Sequence, residues 1–502
     1  MTDTTLHRLR RPRFHGSLWP LLAMLLFTAC MDRSGDGFVR IKEGRMVLHD
    51  QRYFPLVMNY QVNLVVDGER IWAASYNGYN TDDRFRFTDP AQAAEQMRAE
   101  LLLMRSLGFN ALRVVHFTEG PVPGDGTGRP ALKARSLDGT DLLIDMEDPV
   151  VRQAYLSAIT DFMAIARSAD MRVILLTTIH NDRAGSREHF SLVADHLRND
   201  TSVLAFDLFN EPLYFDLPAR RKEDVHTIVR SWRNLAKAHA PHHLVTIGLT
   251  GIREVHAWDP HLLDVDFISF HPYEYEPDQV LNEIKWYGTH VRTPWMIGET
   301  SLPADDDSVS YADMATFARR TLDQVVACGG IGYSWWQFKD VRWGRFHSDF
   351  MGLLSMEGEL PVDGARVPVI GRIKPAADVF RGFDANAARP PCEELPNYLN
   401  YSGHTFSRIT GRLVDEGDRP IVGGVVIAFN REYTHSYHTT SRADGTFELK
   451  GDMHFHHWMA SSLDHTMVRE SLAPSGFRRD ATGVFSFHLG ELRLRHMHRS
   501  VH

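Results

Sequence analysis

Cysteine is scarce in this 502-residue chain. Cys30, Cys328 and Cys392 are too few for a disulfide framework or a zinc site built on cysteines, and a single bridge between Cys328 and Cys392 is left open. Basic residues are outnumbered: 55 Lys and Arg against 64 Asp and Glu give a formal net charge of -9, which argues against wrapping a nucleic acid and fits a neutral partner better. There is no helical repeat, coiled coil or low-complexity tract, and the C-terminal HMHRSVH reads as a solvated tail. What remains is ordinary globular material, 43% hydrophobic and 24% charged, on a chain longer than one core usually serves. Two domains are expected.

The first thirty residues differ from the rest. Arg8, Arg10, Arg11 and Arg13 precede an apolar run, Leu18 to Phe27, and Thr28-Ala29-Cys30 follow. Basic residues, a short apolar core and a small residue form an export signal, and the run is too short to span a membrane comfortably. The ending resembles the lipobox of bacterial lipoproteins, with Leu26 one place early and Phe27 in its slot. That resemblance implies lipidation at Cys30, membrane attachment through the lipid, and a place at the outer membrane or cell surface, on its outer or periplasmic side.

From about residue 54 to 383, short apolar runs alternate with longer amphipathic segments, the pattern of repeated βα units around a parallel sheet. Eight runs are apolar nearly throughout, as strands covered on both faces must be: Phe54–Asn59, Ala111–His116, Val173–Thr178, Val203–Leu208, Leu244–Ile247, Phe267–Phe270, Trp295–Gly298 and Ile331–Trp336. Helices are expected at Ala91–Leu107, stopped by Gly108, and at Tyr311–Cys328, stopped by Gly329-Gly330. Eight units predict an α/β fold, a closed (β/α)₈ barrel over residues 38–386. An insertion rich in Gly and Pro, Glu119 to Asp145, falls after the second strand, where it is placed to shape a cleft. Prolines at 390, 391 and 396 mark a linker over 387–402. Residues 403–495 read as a small all-β sandwich, with strand-like runs at Ile409–Val414, Gly424–Phe429, Tyr437–Ser441 and Thr446–Leu449 and a hairpin signal in Asp444-Gly445. The stretches ITGRLVDEGDRPIVGGVVIAF and TSRADGTFEL resemble the carboxypeptidase regulatory-like module.

In such a barrel the reactive groups lie where strands end. The fourth run ends FDLFNEP, placing Asn210 and Glu211 at the rim, and the seventh ends WMIGET, placing Glu299 there. Strands four and seven face each other across the mouth, so two carboxylates meet over one site. Glycoside hydrolysis needs such a pair: one protonated group to deliver a proton to the leaving oxygen, and one carboxylate to attack or to activate water. Other strand ends supply Arg113, His180, His271-Pro272-Tyr273 and Trp335-Trp336. A cation keeps a nucleophile ionised, a tyrosine hydroxyl orients it, and an indole face stacks on a sugar. Singly each has a structural reading, from packed cation to core aromatic. The same-face grouping of several types points to a site.

In that chain order these residues resemble glycoside hydrolase clan A, and most closely the cellulase/mannanase family 5 group. The resemblance implies Glu211 as acid/base, Asn210 on the sugar 2-hydroxyl and Glu299 as nucleophile supported by Tyr273 and Arg113. It also implies His180 and His271 in the substrate site, with Trp335 or Trp336 flooring the glycone subsite. An oligo- or polysaccharide substrate with β-linkages, β-mannan, β-glucan or related, is expected, cleaved with retention and without a cofactor or metal. The same carboxylates would serve a transglycosylase, and an idle surface glycan-binding lipoprotein is the reading from another class. The cluster Met453-His454-Phe455-His456-His457 reads as exposed strand histidines rather than a metal site.

Overall fold

A computed structural model describes residues 37–79, 89–123, 130–177, 183–216, 219–274, 276–393 and 405–497. The expected strands are all present, as β1 (Leu56–Asp67), β2 (Ala111–Val115), β3 (Arg172–Leu176), β4 (Val203–Asn210), β5 (Leu244–Leu249), β6 (Ile268–Phe270), β7 (Trp295–Ile297) and β8 (Tyr333–Trp335). Each of β1 to β6 pairs in parallel with the next, and β8 returns to β1 with Tyr333 opposite Leu56 and Trp335 opposite Met58. Two backbone bonds, Ile331 N to Trp295 O at 2.9 Å and Trp336 N to Thr300 O at 3.0 Å, join β7 to β8 and close the (β/α)₈ barrel.

Helices surround it for legible reasons. Helix α1 (Pro90–Ser106) starts with Asp89 accepting from the amides of Ala91 and Gln92 and with proline at its first position. It ends before Gly108, whose φ of +100° and 2.3 Å approach of an added Cβ to the Phe380 carbonyl leave room for glycine alone. Helix α2 (Pro149–Ser168) repeats the Asp-Pro start.

The strand period of two sorts the lumen by height. At the bottom Val57, Ala111, Ala205, Phe267 and Met296 form an apolar layer, closed from below by Val39 and Met46 of an N-terminal hairpin. Two residues further along the same strands stand Asn59, Arg113 and Asp207, all buried. Polarity therefore rises toward the C-terminal face.

Strand β1 runs past the barrel and folds back on Arg70–Ser75 as a hairpin. The described part of the insertion after β2 carries two antiparallel strands, Pro130–Ser136 and Asp141–Asp145, joined to the β1 hairpin by Val65 opposite Arg135. Together they raise a wall beside the mouth.

Beyond the barrel, β9 (Ser407–Val414), β10 (Val425–Phe429), β11 (Ser436–Thr440), β12 (Thr446–Gly451), β13 (His457–Ser461), β14 (Val468–Ser471), β15 (Arg478–Arg479) and β16 (Phe485–Arg493) form two four-stranded sheets, ordered β12-β9-β16-β15 and β11-β10-β13-β14. Ile409, Leu449, Val426 and Trp458 from both sheets meet in a core of their own, so the small all-β domain is a sandwich. It contains four strands more than expected. His454 and His456 lie in the segment before β13 rather than on a strand, with Phe455 buried between them. The sandwich meets the barrel through buried polar contacts: Lys222 Nζ donates to Asp259 at 2.9 Å and to the Ser462 carbonyl at 2.8 Å, and Trp286 Nε1 donates to the Gly423 carbonyl at 2.8 Å. Cys328 and Cys392 are bridged, tying the end of the Tyr311–Ala327 helix to the segment that leaves the barrel.

Candidate active site

Arg113, on the third residue of β2, points into the lumen and is 1% exposed. A guanidinium so buried is tolerated only with its donors filled. Its Nε donates to Asp207 at 2.8 Å, Nη1 to Asn59 at 3.1 Å and to Glu299, and Nη2 to Asn210 at 2.7 Å. Burial works against the cation, but Asp207 and Glu299 outweigh it and hold the charge more firmly than in water. Asn59 is fixed in turn, its amide donating to the carbonyls of Gly298 at 2.9 Å and Trp335 at 3.1 Å.

Strand β4 delivers Asn210 and Glu211 through a break in alternation. The register shifts between Asp207 and Asn210, so Phe209 turns outward onto Trp232 and Trp258 while Asn210 faces Arg113. Glu211 then adopts φ 46° and ψ 64°, an uncommon conformation for a residue with a Cβ, with its amide bonded to the Gly248 carbonyl at 2.7 Å. Pro212 opens the short helix that follows.

His271 separates the two carboxylates. Its Nδ1 is 3.0 Å from Glu211 Oε1 and 3.6 Å from Glu299 Oε1. Gly248 and Gly298 make space for the ring, because a Cβ at either would stand 2.7 Å from Nε2. Burial pushes this imidazole down to about 4, so it is neutral at physiological pH. Among the described residues Nε2 is buried without a hydrogen-bond partner, which a bare lone pair tolerates better than an N–H does; this favours the proton on Nδ1, donated to Glu211.

The two carboxylates are unequally served. Glu299 accepts from Arg113 and, at 3.2 Å, from the Tyr273 hydroxyl. Burial raises its pKa, while His271 and Arg113 pull it back. Glu211 accepts only the His271 contact among the described side chains, and burial pushes it up to about 7 against the weaker pull of Arg113 and Arg253. Burial raises both, but only Glu299 has a cation and a hydroxyl bound to it, contacts that favour its ionised form. Oxygens of the two carboxylates and a nitrogen of His271 lie within 4.8 Å of one another. A divalent ion there would meet the Arg113 cation on Glu299, so this donor set suits an acid–base pair better than a metal. A second group, Glu274, Glu283 and His438, meets where the sandwich touches the barrel.

The tryptophan pair divides. Trp335 is 0% exposed, packs on Phe317 and Phe380, and donates to the Met351 carbonyl at 3.1 Å. It faces the helix layer and cannot floor a subsite, because Ser334 holds the lumen phase of β8, where it meets Asn59. Trp336, half-buried and followed by a cis peptide bond, turns to the mouth with its ring 6.4 Å from that of Trp343. His180 and Cys30 lie outside the described residues. Of the expected residues the structure thus brings together Arg113, Asn210, Glu211, His271, Tyr273 and Glu299, with Trp336 at the mouth. Sequence reasoning missed Asn59 and Asp207. A lone carboxylate in the apolar run VLAFDLFN, matched by a lone cation in ALRVV, was the available signal for Asp207.

The mouth of the barrel thus brings two carboxylates together, one of them bound to a buried cation. The family model for cellulase (glycosyl hydrolase family 5) matches residues 72–341, just over half of the chain, and the chain belongs to that family. No curated protein matches it. Among solved structures it is similar to β-glucuronidase 2 of Bacteroides uniformis, at 11% identity and TM-score 0.44 over 90% of this chain and 48% of that one. It is also similar to a GH5_18 enzyme of Streptomyces cattleya, at 16% identity and TM-score 0.44 over 64% and 80%. A third is the endo-1,4-β-mannanase of Rhizomucor miehei, at 14% identity and TM-score 0.43 over 64% and 95%. The chain spans about half the length of the two β-glucuronidases first matched, with 48% and 52% of those chains covered.

Proposed function

We propose that this chain hydrolyses a β-linked glycan, β-mannan, β-glucan or a relative, by double displacement. Glu299, oriented by Arg113 and Tyr273, attacks the anomeric carbon while Glu211 passes its proton to the departing oxygen. Glu211, now a carboxylate, takes a proton from water, which displaces Glu299 and leaves the anomeric configuration as it began. The observation that carries this reading is the separation of the two carboxylates: with oxygens within 4.8 Å, the pair suits direct attack rather than a water held between them. Asn210, bonded to Arg113, is placed to meet the sugar beside the reacting carbon. Trp336 offers a stacking face, and His180 is kept as a substrate contact on its place in the sequence.

The basic start, apolar core and Cys30 support export with a lipid anchor, on the outer membrane or cell surface, and the Cys328–Cys392 disulfide suits an oxidising compartment. In this reading residues 1–30 are the signal, 38–386 the hydrolase, 387–402 the linker and 403–495 a carboxypeptidase regulatory-like module.

The test is hydrolysis of β-linked polysaccharides and aryl β-glycosides by the full chain purified in detergent, beside Glu211→Gln and Glu299→Gln. Cleavage of the polysaccharides by the parent alone, with Glu299→Gln inactive on every substrate, supports the pair. Equal glycan binding by all three with cleavage by none makes the barrel a receptor and ends the proposal.

A further inference from the structure

Beside the catalytic mouth lies a second cavity that the reaction chemistry does not use. It is a cleft of about 430 Å³ lined from the β1 hairpin, the described part of the insertion after β2, Arg183 and Trp343. Its lining includes Tyr76, Lys133, Arg135, Asp141, Arg183 and Trp343. The cleft is continuous with the site through aromatic rings: Trp336 at the mouth neighbours Trp343, and Trp343 Nε1 donates to the Tyr76 hydroxyl at 3.0 Å. Trp343 is 40% exposed, a large apolar ring held in place yet left open to solvent. A rigid, open indole suits the face of a sugar ring.

The charges of the cleft are not balanced. Arg135 is satisfied, with Nε 2.9 Å from Asp141 and Nη1 donating to the Gly139 carbonyl. The other acidic residue of the lining, Glu119, already accepts the His116 amide at 2.7 Å. Lys133, two residues before Arg135 and on the same face of its strand, has no carboxylate within bonding distance among the described residues. Arg183 is half-buried, and its one hydrogen-bond acceptor among the described residues is the Pro121 carbonyl at 3.2 Å. Burial lowers its pKa, and among the described residues no carboxylate lies within bonding distance to offset the loss. Arg183 loses part of its hydration there while Lys133 stays exposed, and an anion arriving in the cleft is drawn to both. The net charge of -9 favours a neutral partner only for the chain as a whole, whereas this wall is locally basic.

We infer that the cleft binds a sugar bearing an anionic group, a carboxylate or a sulfate, with Arg183 and Lys133 as its charge partners and Trp343 against its ring. This inference rests on the hydrolase reading, and names the class of glycan taken: one with acidic substituents rather than a plain mannan or glucan.

The test separates the two claims by reading binding without turnover. Full chain carrying Glu211→Gln is run in gels containing β-1,4-polyglucuronate, cellulose sulfate or neutral hydroxyethylcellulose. Tighter retardation by the polyglucuronate or the sulfate than by the neutral polymer is expected, and which of the two identifies the group. Adding Arg183→Gln and Lys133→Gln together is expected to weaken anionic binding by about tenfold. Neutral binding should be unchanged, and Arg183→Lys should restore part of the loss. Anionic polymers that bind no better than the neutral one, or a double variant that binds them as well as before, overturn the inference. Cleavage of a neutral glycan by the parent alongside either result leaves the hydrolase reading standing. Cation-dependent binding with no cleavage of any polymer by the parent overturns the hydrolase reading and keeps the cleft.

Discussion

Arg113 and Asp207 are joined at 2.8 Å, Nε to Oδ2, and neither side chain is more than 1% exposed. The cation that orients Glu299 is therefore itself held from below by a carboxylate that never meets substrate. Asp207 also accepts the Gly248 amide at 3.1 Å, which fixes the strand carrying one of the two glycines around His271. Removing the carboxylate leaves the buried Arg113 cation with Glu299 as its one carboxylate partner among the described residues. Asp207→Ala is expected to lose about 3–5 kcal/mol of stability by denaturant unfolding. A loss below about 1 kcal/mol, the range of a surface pair, would contradict a structural role for the bond.

The pH dependence follows from the unequal carboxylates. Glu211 must be protonated to act as acid, and it titrates at about 7, so kcat/KM is expected to fall as pH rises through about 7. On the acid side it falls as Glu299 gains a proton. With an aryl β-glycoside whose leaving group needs no acid, Glu211→Gln should retain activity and lose the alkaline limb. An alkaline limb that persists unchanged in that variant would assign it to another group.

Stability should also bend with pH, through a different residue. Burial pushes Glu274 up to about 8, with Glu283 adding to the rise and His438 opposing it. A carboxyl that binds its proton more tightly folded than unfolded stabilises the fold below its ordinary value of 4.5, and that contribution fades as pH rises toward 8. Glu274→Gln keeps the neutral form at every pH. Its Tm should exceed the parent's at pH 8 and approach it near pH 4.5; an unchanged difference across that range would remove Glu274 from the account.

The two adjacent tryptophans should separate stability from binding. Trp335→Ala opens a cavity against Phe317 and Phe380, at a cost of about 3–5 kcal/mol. Trp336→Ala should fold with near-parent stability and raise KM. The reverse pattern would exchange their places.

Much of this was legible in the sequence because the barrel strands are covered on both faces and so appear as nearly unbroken apolar runs. The ends of β4 and β7 announced Glu211 and Glu299 because a carboxylate after such a run has nowhere to go but the rim. The same cue failed for Trp335: adjacent strand residues face opposite ways, and the phase of β8 is set by its register with β1, which the pair Trp-Trp does not reveal. The β1 extension was hidden because Asn59, Gln61 and Asn63 look like the end of a strand, although they are lumen and wall positions of a strand that continues. The bridge between Cys328 and Cys392, 64 residues apart, depends on the path of the chain leaving the barrel, where Gln324 also binds the Glu393 carbonyl at 2.7 Å. Spacing alone does not disclose such a meeting.

The measurement that bears most directly on the mechanism is the configuration of the first sugar released. Proton NMR of the full chain acting on the aryl β-glycoside it cleaves best resolves the two anomers before they equilibrate. Double displacement through Glu299 gives the β anomer first. The α anomer appearing first would mean a single displacement by water, and would remove Glu299 as nucleophile.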